Sequence, residues 1–190
     1  LEEGKQLILP LTQDRLADVH RPNEPFPIIG RVIPSLTEGE WGYREELFDT
    51  PGTKCYPDEE RDYSLYINSP DRAVFLDYEG KACAGQIVLR ADWNRYVFVE
   101  DICVAAAFRG RGIGTSLMKR AACWGKERGL RGIALETQDV NLLACRFYRR
   151  FGMRLGGVNT MLYRQFDKPV CGETALFWYL EFTDEANEQE

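Results

Sequence analysis

The chain has 190 residues, 44% hydrophobic and 28% charged, with a net charge of −6. That balance suits one soluble globular domain that buries a core without disulfide or metal staples, and it argues against a broad nucleic-acid surface, which needs clustered cations. No apolar run approaches the roughly 20 residues of a membrane span, and no basic-then-apolar signal layout opens the chain, so a cytoplasmic protein with neither membrane nor nucleic-acid partner is expected.

Residues 1–20 are polar apart from Leu7 to Leu11 and read as an N-terminal segment, a strand plus loop. A single domain over residues 21–183 and a tail over 184–190 are expected to follow. Pro22, Pro25, Pro27 and Pro34 predict an irregular stretch, because proline lacks the backbone donor that a strand ladder uses. His20 is the one histidine; any serine or cysteine nucleophile would have to draw on it, which argues against triad hydrolysis. Trp41 to Leu47 predicts a short strand, and Cys55 to Asp62 (CYPDEERD) is acidic. This patch is either a solvated loop or a collar in which Asp58, Glu59 and Glu60 surround a small cationic substrate.

Ala73 to Tyr78 and Ala82 to Arg90, joined by Glu79-Gly80-Lys81, predict a β-hairpin. Tyr96 to Val104 (YVFVEDICV) is apolar on both faces, as a central strand covered on both sides would be. A helix is predicted over Thr115 to Arg128, with Ile113, Leu117, Ala121 and Trp124 as the buried stripe and a stop near Gly129. Gly132 to Gln138 then predicts a strand parallel to the previous one, since a helix separates them. Asn141 to Phe151 predicts a second helix ended by Gly152, with Leu143, Phe147 and Phe151 as core and Asn141, Ala144 and Tyr148 on another side. Thr160 to Tyr163 and Ala175 to Phe182 predict two antiparallel strands. The order is a mixed α/β domain, a central twisted sheet flanked by helices.

Cys55, Cys83, Cys103, Cys123, Cys145 and Cys171 lie far apart with no CxxC pair. Reduced thiols and no metal site are expected.

Between the central strand and the first helix the chain reads RGRGIG, Arg109 to Gly114. A glycine-dense turn at a helix N-terminus exposes unpaired backbone N–H groups beside the positive end of the helix dipole, and so binds phosphate. Arg109 and Arg111 add fixed charge, which points to a diphosphate-bearing cofactor. The dinucleotide pattern G-x-G-x-x-G fails, because Gly110, Gly112 and Gly114 give G-x-G-x-G and Leu117 stands where a third glycine after Gly112-x-Gly114 would be. No lysine follows the glycines, which excludes a Walker loop.

What fits is R-x-x-G-x-G, carried by Arg109, Gly112 and Gly114, followed by a helix, a strand and a helix bearing Asn141 and Tyr148. This order resembles the GNAT acetyltransferase superfamily. The stretches PFPIIGRVIP, YPDEERDYSLYI, DWNRYVFVEDICV, FRGRGIG, ETQDVNLLACRFYRRFGM, NTMLY and ALFWYL extend the resemblance from about Pro22 to Phe182 and place it nearest the streptothricin acetyltransferases.

The resemblance implies the GNAT fold, acetyl-CoA as cofactor with CoA as product, and a set of roles. Ile102, Cys103 and Val104 would offer backbone groups to the pantetheine arm, and Arg109, Gly110, Arg111, Gly112, Ile113, Gly114 and Thr115 would wrap the pyrophosphate. Asn141 and Ala144 would line the cofactor cleft with Tyr148, which lies two turns beyond Asn141 and returns to nearly the same face. Tyr148 would be the general acid for the departing thiolate.

A base must take the proton of the acceptor amine. Glu100 alternates with Phe98 and Ile102 on one strand face, Asp101 points to the other unless a bulge intervenes, and Glu136 ends the adjacent strand; the residues leave these alternatives open. The implied acceptor is a primary amine on the β-lysine part of streptothricin, whose acetylation would confer resistance. The alternatives are another amine (polyamine, aminoglycoside or protein) or a CoA-binding module without turnover. The resemblance also carries the expectation of a homodimer.

Overall fold

The computed structural model describes residues 6–183; the tail expected over 184–190 lies outside them. Seven strands form one mixed sheet: β1 (Gln6–Pro10), β4 (Arg72–Glu79), β5 (Ala82–Ala91), β6 (Tyr96–Val104), β7 (Gly132–Gln138), β8 (Arg154–Asn159) and β9 (Ala175–Glu181), in the order β1-β4-β5-β6-β7-β9-β8. All neighbours are antiparallel except β6 and β7, which run parallel around helix α1 (Ile113–Lys126). The stripe Ile113, Leu117, Ala121 and Trp124 is buried against the sheet, with Val97, Val99, Ile133 and Leu135 in the same core. Helix α2 (Leu142–Phe151) starts at Asn141 and stops at Gly152, which takes the left-handed conformation with φ 100°. Short turns Gln13–Asp18 and Tyr63–Tyr66 enclose a second cluster with Leu11, Val74, Leu76 and Val88. Among the described residues no helix is long and apolar enough to cross a membrane.

Three sequence expectations are corrected. The proline-bearing stretch is irregular only at Pro22 and Pro25: β2 (Phe26–Thr37), which holds Pro27 and Pro34, and β3 (Glu40–Lys54) form a long two-stranded ribbon, and the expected strand Trp41 to Leu47 is the first half of β3. Prolines are tolerated there because a two-stranded ribbon has an outer edge on each strand that asks for no donor. Thr160 to Tyr163 is a turn and not a strand; the partner of β9 is Arg154–Asn159, six residues earlier at its start. The buried stripe of α2 is Leu142, Cys145 and Tyr148, while Leu143 is exposed and Phe147 and Phe151 are half-buried.

Candidate active site

The parallel pairing of β6 with β7 runs from Tyr96↔Gly132 to Val99↔Leu135 and stops. Beyond it β6 stays with β5 as far as Gly85↔Val104, and β7 stays with β9 as far as Gln138↔Ala175. The sheet therefore opens into a wedge whose β6 side, Glu100 to Val104, has a backbone edge with no strand partner. Unladdered N–H and C=O groups at such an edge are available to a ligand. Two cavities meet in the wedge, one of about 280 Å³ and one of about 800 Å³. Asp101, Ile102, Asn141, Ala144 and Tyr148 belong to the walls of both.

The larger cavity is a groove along the glycine turn. Gly110 and Gly112 have φ of 77° and 88°, left-handed values that a side chain would strain. Gly112 also caps α1 without a side-chain hydrogen bond, so the first-turn amides remain open beside Ile113, Gly114 and Thr115, which line the groove. A Cβ on Gly114 would lie 3.3 Å from the Phe147 ring, so the small residue lets α1 and α2 close together. Leu143, Phe147 and Phe151 form the α2 wall of this groove, which explains why they are not core: α2 has apolar faces toward both the interior and the cleft.

The two arginines of the turn are placed differently, Arg109 on the groove wall and Arg111 off it. Arg109 is a strap, its guanidinium donating to the carbonyls of Val104 (2.8 Å), Pro25 (2.9 Å) and Glu24 (3.0 Å). Arg111 stacks over Phe108 and approaches Glu79 at 3.4 Å, outside the groove walls. The first-turn amides of α1 face the groove, and Arg109, Lys119 and Arg150 are the cations on its walls. Ile102, Cys103 and Val104 supply the adjoining edge of β6. Open amides at one end, apolar walls along α2 and an unladdered strand edge at the other fit a CoA thioester.

The smaller cavity is acidic and aromatic. Glu59, Glu100, Asp101 and Glu136 line it with Tyr56, Tyr63 and Tyr163, and no lysine or arginine is among its walls. Glu100 and Asp101 both reach it because β6 is bulged: Leu89 pairs with Val99 and Val88 with Asp101, leaving Glu100 as the extra residue. Their surroundings differ. Glu100 accepts from the Tyr66 hydroxyl at 2.7 Å and Arg61 Nη1 at 2.8 Å, with Arg90 Nε at 3.4 Å. Asp101 has no ion pair among the described residues; it accepts from Gln86 Nε2 at 2.6 Å. Burial pushes the Asp101 carboxyl above its ordinary range, against the opposing effects of the Gln86 bond and of His20, Cys103 and Arg61.

Glu136 is likewise pushed up by burial, with the Tyr163 hydroxyl donating to it at 2.7 Å. Of the acidic segment, Glu59 is on the wall and pairs with Arg61. Asp58 is turned to Asn23 Nδ2 (2.7 Å) and His20 Nδ1 (3.6 Å), and Glu60 is exposed; neither lines the cavity.

Asn141 does two things. Its Oδ1 caps α2 by accepting from the Ala144 amide at 3.3 Å, and its Nδ2 donates to the Tyr56 hydroxyl at 3.3 Å. Tyr148 is 6% exposed, its ring packed near Phe147 and Trp178, and its hydroxyl has no hydrogen-bond partner among the described residues. Burial pushes its pKa up, so the phenol keeps its proton until a stronger base appears beside it. The sequence reading missed Tyr56, Tyr63, Tyr163 and His20 as wall residues. The clustered tyrosines of the acidic segment were a signal for the first two, whereas Tyr163 and His20 arrive through turns that periodicity does not resolve.

The model of the acetyltransferase (GNAT) family matches residues 40–153. Streptothricin acetyltransferase A of Bacillus subtilis (strain 168) is 43% identical over 176 residues, covering 93% of this chain and 100% of that protein. Streptothricin acetyltransferase of Escherichia coli is 36% identical over 162 residues, covering 85% and 80%. Among solved structures, a candidate streptothricin acetyltransferase from Bacillus anthracis in complex with acetyl-CoA superposes with a TM-score of 0.87 at 32% identity, over 94% of this chain and 100% of that one. Nourseothricin acetyltransferase follows with a TM-score of 0.77 at 31% identity, over 93% and 98%. The chain belongs to the GNAT family, consistent with its glycine turn and splayed strands, and is an acetyl-CoA-dependent N-acetyltransferase.

Proposed function

We propose that the protein acetylates a primary amine of a streptothricin-class antibiotic, on its β-lysine part, and so confers resistance. The observation that carries this reading is the division of the wedge at Tyr148. A groove with open amides, Lys119 and Arg150 lies on one side, and a cavity of carboxylates and tyrosines without lysine or arginine on the other. The first suits an anionic cofactor and the second a cationic amine. The streptothricin acetyltransferases among the relatives support the same acceptor.

Acetyl-CoA supplies the activated acetyl group. Glu59 and Glu136 hold the cationic acceptor, and Asp101 takes the ammonium proton so that the neutral amine attacks. Asp101 is preferred to Glu100, which two arginines already neutralise. The backbone edge from Ile102 to Val104 orients the thioester; the Tyr148 hydroxyl protonates the sulfur as the C–S bond breaks and regains a proton from the nitrogen as the amide forms. Acetylation removes a positive charge from the antibiotic and weakens its hold on anionic RNA. The six free cysteines fit a reducing, cytoplasmic setting, where acetyl-CoA is at hand.

The test is fragmentation mass spectrometry of the product formed from acetyl-CoA and streptothricin. One acetyl group on β-lysine is expected; unmodified antibiotic, or acetyl elsewhere, contradicts the assignment.

A further inference from the structure

Asp101 is held by neutral donors alone, the amide of Gln86 and the thiol of Cys103 on its own strand. Gln86, on β5, is fully buried, and a buried amide requires partners at both ends. Its Nε2 donates to Asp101 Oδ2 at 2.6 Å, and its Oε1 accepts from the backbone N–H of His20 at 2.7 Å. A backbone N–H can only donate and a carboxylate can only accept, so chemistry fixes which end of the amide faces Asp101. The N–H of His20 points inward because His20 has a left-handed backbone, φ 69°, a conformation that costs a non-glycine residue about 1 kcal/mol. Its ring is pinned edge-on to Tyr63 at 5.1 Å and beside Asp58. Strain of this sort collects at functional sites.

We propose that Gln86 is a positioning residue that keeps the Asp101 carboxylate oriented and proton-accepting, with the strained turn at His20 fixing the sense of its amide. This rests on Asp101 being the base of the reaction proposed above. A base works best with a pKa near the operating pH. Glu100 is already committed to two arginines and the Tyr66 hydroxyl, and a carboxyl buried with no donor would stay protonated. Neutral donors, the Gln86 N–H and the Cys103 thiol, favour the charged form of Asp101 without tying it to a cation. The other ionisable groups acting on Asp101 are Cys103 on its own strand, Arg61, Tyr63 and His20 from the covering segments, and Tyr148 from α2. None of them provides a cationic contact that could substitute for the amide.

The experiment is the pH dependence of kcat/KM in the full chain for wild type, Gln86→Met, Gln86→Glu and Asp101→Asn, with acetyl-CoA affinity as the check on folding. Gln86→Met is expected to move the acidic limb up by about one pH unit, a loss of about tenfold on that limb, with little change on the alkaline side. Gln86→Glu keeps the size of the side chain and places a second carboxyl against Asp101, so the limb should rise at least as far. A folded Gln86→Met whose acidic limb superimposes on wild type overturns the proposal. If that variant does not fold, an unmoved limb in Gln86→Glu overturns it alone. Asp101→Asn separates the two levels: an unchanged limb there removes both the base and this inference. Loss of the limb in Asp101→Asn without any shift in the Gln86 variants removes only the role of Gln86.

Discussion

Glu100 and Asp101 are consecutive on β6, yet both line the acceptor cavity, because the bulge opposite Val88 and Leu89 cancels the alternation of the strand. One is tied to Arg61, Arg90 and Tyr66 and the other to the amide of Gln86. On the proposed reaction, this asymmetry makes Glu100 the structural carboxylate and Asp101 the chemical one. Asp101→Asn should lower kcat by about 10² or more, whereas Glu100→Gln should chiefly reduce stability by leaving Arg61 and Arg90 without their shared partner. Initial rates and thermal melts of the two variants check this.

Asp101 also links activity to stability. Its folded pKa is raised, so its contribution to stability is fully present below the ordinary aspartate value of 3.8 and is lost as pH rises through the folded pKa. At pH 7, above that ordinary value, ionisation of Asp101 therefore opposes folding. Asp101→Asn removes the ionisable group, and is expected to raise the melting temperature at pH 7 but not at pH 3.5, below the ordinary aspartate value. Melting curves at the two pH values should show the gain in the first alone.

Tyr148→Phe keeps the ring against Trp178 and Phe147 and removes only the hydroxyl. A fall of about 10² to 10⁴ in kcat, with acetyl-CoA affinity unchanged, is the expected result for a general acid. Unchanged kcat would remove Tyr148 from that role.

Much of this site is legible in the sequence. The glycine turn, the strands on either side of α1 and the position of Tyr148 follow from local spacing, because each obeys one period and one turn chemistry. What escaped is set by contacts between distant segments. The ribbon β2–β3 hides behind prolines that its outer edges tolerate, and β8 hides behind Gly156, where a Cβ would lie 2.5 Å from the Tyr179 ring. The bonds from Arg109 to Glu24 and Pro25 join segments far apart in the chain, so the turn's own spacing does not reveal them. The bulge at Glu100 depends on β5, so β6 alone does not reveal it.

The strap makes its own prediction. Arg109→Met removes three hydrogen bonds to carbonyls and frees the segment at Glu24 and Pro25 from the turn. A loss of about 1 kcal/mol in stability and weaker acetyl-CoA binding are expected, measurable by denaturation and calorimetry. Gly112→Ala should weaken acetyl-CoA binding through strain at φ 88°, by about tenfold for each 1.4 kcal/mol.

Glu136→Gln should act on the acceptor side alone. It removes a carboxylate that Tyr163 orients toward the cavity, so KM for a cationic acceptor should rise about tenfold while acetyl-CoA affinity holds. The effect should shrink as salt is raised.

The division of the wedge into an anion-binding groove and a cation-binding cavity is tested most directly by competition. Equal concentrations of streptothricin, lysine, spermidine and an aminoglycoside, supplied with limiting acetyl-CoA, report relative kcat/KM from the acetylated products. Acetyl-streptothricin is expected as the dominant product. Equal labelling of all four amines, or preference for another, would contradict the assignment of the acceptor.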